Sequence, residues 1–341
     1  MSIHRAAALA PARLLLAWLL LLAGVAGCIQ GQSFVEESPG GSVPPPSSSD
    51  GGPTPNPDGQ EQEAPAAGTV RIAAFNVHRF FDTVCQSGTC GGTAYEELPS
   101  PEAFASKADR LARAITSLKA GVVLLAEVET QPCLDAIQTR LPGFSSAVLG
   151  ELGTPASVDV AVLARFPVRE VRSHRASHPL TRPDGTTTRF SRELLEVRLD
   201  VEGTETIVFA SHFRSKVDDD PGRRYAEAEA AREIITAVAA ERPGALVVLG
   251  GDLNDVPGSA PLEALEQDGA LHRVSSDRPP EETGTVWYRG VREPIDHLYQ
   301  ARDAAGRYVP GSFRVVGDTA VSGLGGSDHA AVRADFELPR P

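Results

Sequence analysis

The chain has 341 residues, of which 41% are hydrophobic and 23% are charged, and its 32 Lys and Arg against 45 Asp and Glu give a formal net charge of -13. This length and composition exclude a disulfide-stabilised miniprotein, a globally disordered chain and a fibrous repeat, and they provide enough apolar residues for a sizeable core. They suit one large domain or two ordinary ones.

The first 27 residues have the pattern of an export signal. Arg5 and Arg13 precede an apolar run over residues 14–26, which is shorter than the roughly 20 residues needed to span a bilayer. The run ends in Val25-Ala-Gly-Cys28, which resembles the bacterial lipobox, in which the cysteine is acylated and becomes the mature N-terminus. The pattern predicts a lipoprotein signal peptide over residues 1–27 and a lipid on Cys28, with an uncleaved membrane anchor as the alternative.

Residues 28–68 predict a disordered tether that follows the lipidated cysteine. The segment 31–68 contains eight Pro, seven Gly and six Ser, with six acidic residues and no Lys or Arg. Such a composition cannot build a core, and a flexible coil of this length has an end-to-end distance of roughly 35 Å. We therefore expect an exported protein that is lipid-anchored to a bacterial membrane, faces the periplasm or the exterior, and touches the membrane only through its lipid.

Residues 69–341 predict a single α/β domain. Short apolar runs rich in β-branched residues alternate with helical stretches. Helices are clearest over 101–119, where Ser100 can cap and Pro101 occupies the first turn, and over 223–240, which is rich in Ala and lacks Gly and Pro. Many strands with few helices indicate two packed sheets with helices outside. The predicted strands are 70–75, 121–126, 158–163, 194–201, 206–210, 245–249 and 295–299.

Polar residues stand at the ends of several predicted strands. The strand 245–249 is followed by Gly250-Gly-Asp252-Leu-Asn254, and a rigid strand end is a good platform for a functional site. Taken alone, Gly, Asp and Asn at such a place also favour a simple turn. In chain order the motifs are Phe-Asn-Val at 75–77, Ala-Glu-Val at 126–128, Ser-His-Phe at 211–213, Gly-Gly-Asp-Leu-Asn at 250–254, Ile-Asp-His at 295–297 and Ser-Asp-His at 327–329.

Together these motifs resemble the endonuclease/exonuclease/phosphatase superfamily, and the resemblance extends over nearly all of residues 69–341. That superfamily contains deoxyribonucleases, abasic-site endonucleases, sphingomyelinases and inositol phosphatases. Its members share a four-layered α/β sandwich, in which two packed β-sheets are flanked by helices. The resemblance therefore implies the fold more directly than the substrate.

The resemblance also implies a magnesium site, with Mn²⁺ as the alternative ion. Asn76 and Glu127 match the family's first metal-site pair, with Glu127 as the principal carboxylate, and Asp328 matches a further carboxylate on the metal side. A hard divalent cation prefers oxygen ligands and keeps several waters, so one or two carboxylates with substrate oxygens suffice. The proposed set contains no Cys or His cluster of zinc spacing.

The same resemblance assigns the catalytic residues. Asp252 and Asn254 match residues that hold the nucleophilic water and the scissile phosphate, and His329 matches the catalytic histidine. Asp296 is expected to stand behind His329 and fix its tautomer, and either Asp252 or His329 accepts the proton of the attacking water. His212 is expected to protonate the leaving oxygen.

Two further assignments come from a resemblance to pancreatic-type deoxyribonucleases. Arg192, in a Phe-Ser-Arg-Glu segment, matches an arginine that grips a phosphate, with a solvated strand residue as the alternative. Asp159, in a Ser-Val-Asp segment, lies where a carboxylate partners His212, with a structural role as the alternative. His78 departs from the pattern, because abasic-site enzymes carry an aspartate there, and this argues against a strict abasic-site activity.

The distribution of charge bears on the substrate. Residues 69–341 carry 30 basic and 39 acidic residues, so a long polyanion is repelled unless the charge is locally inverted. The stretch 165–192 has seven Arg and two acids, which suits a nucleic-acid backbone, with a solvated face as the alternative. The segment His212-Phe-Arg-Ser-Lys216 also resembles secreted bacterial nucleases.

The sequence thus predicts a metal-dependent nuclease that hydrolyses phosphodiester bonds in extracytoplasmic DNA or RNA. The alternatives are a phosphodiesterase or phosphatase acting on phospholipid or small phosphate esters, and a non-catalytic surface-binding lipoprotein. The complete set of site residues disfavours the binding protein. Trp287 lies in a loop that could help a lipid-active enzyme, but an aromatic there also stacks on a nucleotide.

Three cysteines remain if Cys28 carries a lipid. For an oxidising compartment we predict a disulfide between Cys85 and Cys90 across a Gly-containing loop, which leaves Cys133 free. A bond from either one to Cys133 is the alternative that the spacing leaves open.

Overall fold

The computed structural model of the chain describes residues 64–288, 290–317 and 323–339. The predicted signal peptide, Cys28 and the predicted tether up to residue 63 lie outside these residues. Within them, no helix combines the length and the hydrophobicity that crossing a membrane requires.

The described residues form an α/β domain with many strands and few helices. The α-helices are α1 (Pro101–Ser117), α2 (Gln131–Gln138), α3 (Pro221–Glu241) and α4 (Ala260–Glu266). Short 3₁₀ turns cover Gln267–Gly269, Val274–Asp277, Pro280–Glu282 and Leu324–Gly326. The strands are β1 (Thr69–Phe80), β2 (Val122–Val128), β3 (Ser146–Gly150), β4 (Asp159–Ala164), β5 (Val168–Ser173), β6 (Leu180–Thr181), β7 (Thr187–Thr188), β8 (Leu195–Val201), β9 (Thr204–His212), β10 (Leu246–Asp252), β11 (Leu271–Arg273), β12 (Val286–Tyr288), β13 (Val291–Glu293), β14 (Asp296–Ala301), β15 (Arg307–Tyr308), β16 (Arg314–Val316) and β17 (Ala331–Glu337).

Two mixed sheets make up the centre of the domain. The first sheet has the strand order β15-β17-β1-β2-β4-β3, with β16 also paired to β17. The second sheet has the order β11-β14-β10-β9-β8-β5. At the middle of each sheet two strands run parallel, β1 with β2 and β9 with β10, so that their carboxyl ends meet at one edge. Two-stranded ribbons, β6–β7 and β12–β13, lie apart from these sheets.

Apolar side chains hold the sheets face to face. Ile72 and Leu124 of the first sheet share a buried cluster with Val208 and Val248 of the second. On the outer faces, α1 and α2 bury their apolar side chains in one cluster with the first sheet, and α3 and α4 do so with the second. The order is helix, sheet, sheet, helix, which confirms the predicted four-layered sandwich.

Two consecutive glycines let β10 approach its neighbours at the edge where the polar motifs meet. A Cβ on Gly250 would lie 2.6 Å from a methyl carbon of Leu298 and 2.8 Å from one of Leu124. Gly251 has φ +146°, and a Cβ there would lie 1.8 Å from the carbonyl oxygen of Ser211. Only glycine fits at both positions, and Asp252 is the next residue.

The predicted helices and strands are present, but several of the strands extend further than predicted. β9 and β10 continue through His212 and Asp252, so these residues belong to the strands instead of to turns after them. Helix α1 has the predicted cap, with Ser100 Oγ accepting a hydrogen bond from the Ala103 amide. The prediction lacked α2, α4, β3, β5, β6, β7, β11, β12, β13, β15, β16 and β17. Most of these elements are short, whereas β17 is buried and its apolar run is interrupted by Arg333 and Asp335.

The cysteines pair as predicted. Cys85 and Cys90 form a disulfide with their Cα atoms 5.8 Å apart, and Cys133 is free and buried in α2.

Candidate active site between the two sheets

Strand pairing brings the predicted site residues to one edge of the sandwich. In the second sheet, Asp252 is the direct cross-strand partner of both His212 and Asp296. In the first sheet, Asn76 pairs with Ala126, which places its side chain beside Glu127 on the next strand position. Residues that are far apart in the sequence are therefore neighbours because two parallel pairs of strands end together.

Asn76 joins the two halves of the site. Its Nδ2 donates to Glu127 Oε1 at 3.2 Å and to Asp252 Oδ2 at 3.0 Å. Its Oδ1 accepts the amide of His78 at 2.9 Å. The second carboxylate oxygen of Glu127 accepts the amide of Arg79 at 2.8 Å. One buried amide thus sets the relative position of a carboxylate from each sheet.

The backbone of the first-sheet half is unusual. His78, Arg79 and Glu127 have positive φ of 54°, 45° and 67°, a region that non-glycine residues rarely occupy. Lys107 of α1 donates from Nζ to the carbonyl oxygens of His78 and Arg79, at 2.5 and 3.0 Å. Strained backbone of this kind persists where the surrounding structure holds it, and it occurs frequently at functional sites.

His329 is held between two carboxylates. Its Nδ1 lies 2.8 Å from Asp296 Oδ2, and its Nε2 lies 3.9 Å from Asp252 Oδ2. Ser327 Oγ accepts the His329 amide and donates to the Asn76 carbonyl oxygen, so the loop before β17 is fixed to β1. Burial disfavours the charged imidazole, but Asp296, Asp252 and then Asp328 outweigh it and raise the pKa of His329 to about 10.

The pKa values of Asp252 and His212 shift in the directions that favour the neutral form of each side chain. Burial, and then repulsion by Asp296, raises the pKa of Asp252 to about 7. Burial, and then the positive charges of Arg192 and His329, lowers the pKa of His212 well below its usual range. His212 Nε2 lies 3.6 Å from Asp252 Oδ2, and its Nδ1 has no hydrogen-bond partner among the described residues. The His212 imidazole is therefore neutral at neutral pH.

Asn254 sits in the turn that follows β10. Its amide nitrogen donates to Asp252 Oδ1 at 2.9 Å, and its Nδ2 donates to the Phe213 carbonyl oxygen at 3.1 Å. Its φ is +54°, which an asparagine tolerates better than most residues. These bonds tie the ends of β9 and β10 together beside the site.

No hydrogen bond joins Asp159 to His212 in the described residues, where Asp159 Oδ1 and His212 Nδ1 are both buried without a partner, so the expected pair stays a prediction. Asp159 Oδ2 accepts the Leu152 amide and the Ser157 hydroxyl, at 3.0 and 3.1 Å. The loop before β4 folds back onto Asp159, which is the first residue of that strand, and satisfies this oxygen locally. Asp159 therefore supports the loop, and burial raises its pKa to about 6.

Arg192 lies near the catalytic groups, as expected. It lines one pocket with Tyr95, and its charge contributes, after burial, to the lowered pKa of His212. Arg79 stacks over the Tyr95 ring at 4.9 Å from its centroid. Tyr95 was not singled out from the sequence, because it follows the disulfide loop and no strand pattern places it.

His78 holds Asp328, a contact that the sequence did not indicate. His78 Nδ1 lies 2.6 Å from Asp328 Oδ1. Burial disfavours the charge on Asp328, but this hydrogen bond and the charge of His329 together lower its pKa. His78 therefore orients the carboxylate that was expected on the metal side.

The sequence of this chain matches a known protein family over most of its length. The model of the Endonuclease/Exonuclease/phosphatase family matches residues 73–329. The chain belongs to this family. A comparison with curated proteins finds no match.

Solved structures of other proteins have a fold similar to that of this chain. TDP2 from C. elegans superimposes with a TM-score of 0.56 at 17% identity, over 81% of this chain and 77% of the other. The endonuclease/exonuclease/phosphatase from Bacteroides vulgatus has a TM-score of 0.57 at 17% identity, over 79% of this chain and 99% of the other. TDP2 from D. rerio, complexed with a single-strand DNA product, has a TM-score of 0.55 at 15% identity, over 79% and 98%.

The family's enzymes use divalent metals to hydrolyse phosphoester bonds, and the residues of this site fit such an ion. Glu127 and Asp328 offer carboxylate oxygens, the donors that a hard cation prefers, whereas Asn76 turns its Nδ2 to Glu127 and its Oδ1 to the His78 amide and so positions the carboxylate. Asp328 has a side chain that is 56% exposed, so an ion there can keep waters and meet substrate oxygens. Asp252 and Asp296 add negative charge close by, which a divalent cation would offset.

Proposed function

We propose that this protein is a metal-dependent nuclease that hydrolyses phosphodiester bonds in DNA or RNA outside the cytoplasm. One observation carries the proposal: Asn76 links Glu127 of one sheet to Asp252 of the other, and Asp252 adjoins the His329–Asp296 pair. A metal-side carboxylate and a proton-transfer group are thereby held on either side of one space, as hydrolysis of a phosphodiester requires.

The ion would be Mg²⁺ or Mn²⁺, held by Glu127 with Asn76 and Asp328. When bound, it would polarise a phosphoryl oxygen and offset the charge that develops on phosphorus. The carboxylates of Glu127 and Asp328, and the exposure of the Asp328 side chain, support this role.

Asp252 is assigned to accept the proton of the attacking water, and His329 is not. The His329 imidazole lies between the carboxylates of Asp296 and Asp252, which keep it protonated and leave it without a free site for another proton. Its positive charge instead stabilises the negative charge of the transition state. Asp252 can be deprotonated near neutral pH, where a general base is most effective.

His212 is assigned to the leaving oxygen. Because its imidazole is neutral, it acts by donating a hydrogen bond from a ring N–H to the oxygen that departs, so that negative charge on this oxygen is stabilised. Its side chain is only 2% exposed, and this low exposure strengthens such a hydrogen bond by excluding water.

Nucleic acid is the favoured substrate because arginines gather beside the site. Arg192 adjoins His212, and Arg214 and Arg223 follow on the next segments of chain. The D. rerio TDP2 structure contains a single-strand DNA product in the same fold, which supports this choice.

A phospholipid is the second candidate, because the β12–β13 ribbon exposes an apolar tip. Trp287, Tyr288 and Val291 are 46%, 42% and 61% exposed. Such a tip can enter a lipid surface, and an aromatic residue there can also stack on a base.

Hydrolysis assays on the full-length protein separate these candidates. We expect clearing of DNA or RNA gels with Mg²⁺, no clearing after chelation, and slower release of headgroups from phosphatidylcholine vesicles. Trp287→Ala should lower vesicle hydrolysis selectively if lipid is the substrate. Full nuclease activity in chelator would contradict the metal role, and headgroup release without any nuclease activity would replace the proposal with the second candidate.

The cellular location is proposed from Cys28 and the segment around it. A lipid on Cys28 would keep the domain at a membrane, with the tether between them. Cys28→Ser should move the protein from the membrane pellet to the soluble fraction and leave its specific activity unchanged, because the site residues begin at Asn76. A variant that stays in the pellet after detergent-free washing would contradict the lipid anchor.

A further inference from the structure

A second polar pocket opens beside the active site. Its volume is about 240 Å³, and its wall is unusually rich in arginine and hydroxyl groups. The residues that matter here are Tyr95, Ser157, Ser191, Arg192, Arg214 and Arg223.

The pocket adjoins the catalytic groups on two sides. Arg192 is close enough to His212 to contribute to the lowering of its pKa, after the effect of burial. Burial and then the negative charge of Glu127 raise the pKa of Tyr95. Tyr95 therefore lies near this carboxylate. Arg214 is the second residue after His212, where β9 ends. A group in this pocket would therefore belong to the same bound molecule as the scissile bond.

A buried carboxylate holds two segments of the pocket wall in place before any ligand arrives. Glu227 of α3 is 0% exposed, and its two oxygens accept the backbone amides of Ser191 and Arg214, each at 2.6 Å. Arg223 Nε lies 3.7 Å from the same carboxylate and donates to the Arg189 carbonyl oxygen at 3.0 Å. The arginines are thus mounted on a fixed frame instead of on free loops.

The pocket carries positive charge that the protein itself does not neutralise. Within the described residues, the guanidinium groups of Arg192 and Arg214 form no ion pair with a carboxylate, and Arg214 donates only to the carbonyl oxygens of Val217 and Asp218. Arg214 also contributes, after burial, to a lowered pKa of Arg223, since the two cations repel. Ser191 Oγ is buried and has no partner in the described part of the chain. Unpaired guanidinium groups and a free hydroxyl are the donors that a phosphate accepts.

We propose that this pocket binds a second phosphate of the substrate, next to the phosphodiester that is hydrolysed. The inference rests on the proposed nuclease function and adds to it a preference for substrates with two or more phosphates. Arg214 and Arg223 bind the second phosphate, and Arg192 lies between it and the scissile one. The second phosphate is either an internal phosphodiester of a longer strand or a terminal phosphomonoester, which present the same oxygens.

The test compares substrates that differ only in the second phosphate. A dinucleotide with its single phosphodiester is set against the same dinucleotide with a 5′-phosphate, with a 3′-phosphate, and against the trinucleotide. We expect the full-length wild-type protein to have a kcat/KM about 10- to 100-fold higher when the second phosphate is present on the correct side. Hydrogen bonds to charged groups contribute more to binding than hydrogen bonds between neutral groups. A higher rate with the trinucleotide indicates that the pocket binds an internal phosphodiester. A higher rate with the 5′- or 3′-phosphorylated dinucleotide indicates that it binds a terminal phosphomonoester.

Arg214→Gln should remove this preference. Its kcat/KM is expected to fall about 10-fold or more on substrates with the second phosphate and to stay within about twofold of wild type on the plain dinucleotide. Arg214→Lys keeps the charge but not the planar fork and should retain part of the preference. Arg172→Gln is the control for loss of one positive charge, because Arg172 belongs to the basic stretch 165–192 that contains Arg192, pairs with Glu170 at 2.7 Å and lies outside the pocket. Circular dichroism checks the fold of each variant.

The outcomes separate this inference from the function on which it rests. Equal rates on dinucleotides with and without the second phosphate, or an equal loss by Arg214→Gln on both, would overturn the phosphate pocket and leave the nuclease intact. Hydrolysis of none of the nucleotides by the wild-type protein would overturn the proposed function itself.

Discussion

The proposed active site has two halves that differ in exposure. The proposed metal half consists of Asn76 and Glu127 on the first sheet and Asp328 in the loop before β17; Asn76 is 1% exposed, Glu127 is partly exposed, and the Asp328 side chain is 56% exposed. The proton half consists of Asp252 and Asp296, whose side chains are 3% and 0% exposed, together with His212 and His329. An ion that exchanges with solvent and substrate needs an open site, whereas groups that shift protons need a dry one, where electrostatic effects are larger.

The halves also differ in how the backbone holds them. In the proton half, His212, Asp252 and Asp296 are direct partners across regular strands. In the metal half, His78 and Glu127 have left-handed φ, and Lys107 supports the segment from α1. Regular strand pairing fixes the distances between His212, Asp252 and Asp296. The strained segment instead turns side chains and backbone amides towards the proposed metal site. The two halves should therefore respond differently to substitution.

The largest expected effect is in the proton half. Asp252→Asn should lower kcat by about 10³- to 10⁴-fold, near the upper end for loss of a general base, and leave the Mg²⁺ concentration for half-maximal activity unchanged. Single-turnover rates across a Mg²⁺ titration measure both quantities. A large shift in the Mg²⁺ requirement would show that Asp252 binds the ion, and the two halves would then not be separate.

His212 and His329 should differ in their response to the leaving group. His212→Ala is expected to lose about 10²- to 10³-fold on a dinucleotide but much less on bis-p-nitrophenyl phosphate, because p-nitrophenolate departs with little help. His329→Ala should lose about equally on both, because it stabilises charge on phosphorus. Equal losses for His212→Ala on the two substrates would contradict its assignment to the leaving oxygen.

In the metal half, Glu127→Gln keeps the shape of the side chain and removes its charge. The Mg²⁺ concentration for half-maximal activity should rise by about 10- to 100-fold, because a principal carboxylate is lost. Glu263→Gln, on the exposed face of α4, is the control for a change of net charge. Unchanged Mg²⁺ dependence in Glu127→Gln would remove this residue from the site.

The smallest expected effect concerns stability behind the metal half. Glu129 is 2% exposed, its Oε1 has no partner among the described residues, and burial raises its pKa to about 7. A carboxyl with a raised folded pKa stabilises the fold below its unfolded pKa of about 4.5, and this contribution is lost as the pH rises through about 7.

Urea denaturation of the wild type and of Glu129→Gln measures this effect. Between pH 5 and pH 8 the free energy of unfolding of the wild type should fall by about 2 kcal/mol more than that of the variant. Parallel pH profiles would show that Glu129 is already ionised in the fold at pH 5.

The sequence by itself determined the framework of the site. The apolar strands indicated two packed sheets, and the resemblance of the ordered polar motifs to the superfamily assigned Asn76, Glu127, Asp252 and His329 to the site. These features are local or periodic, so a chain pattern reveals them. The Cys85–Cys90 disulfide could also be predicted from the sequence, because the two cysteines are close together along the chain.

The tertiary structure decided how these groups act. Asp159 accepts hydrogen bonds from its own loop, His78 binds Asp328 across 250 positions of sequence, and the His329 imidazole stands between two carboxylates from β10 and β14. The arginine pocket likewise depends on contacts between remote residues, because Glu227 of α3 accepts amides from two separate segments. Protonation and partner choice depend on burial and on distances between remote residues, which a pattern of neighbours along the chain does not contain.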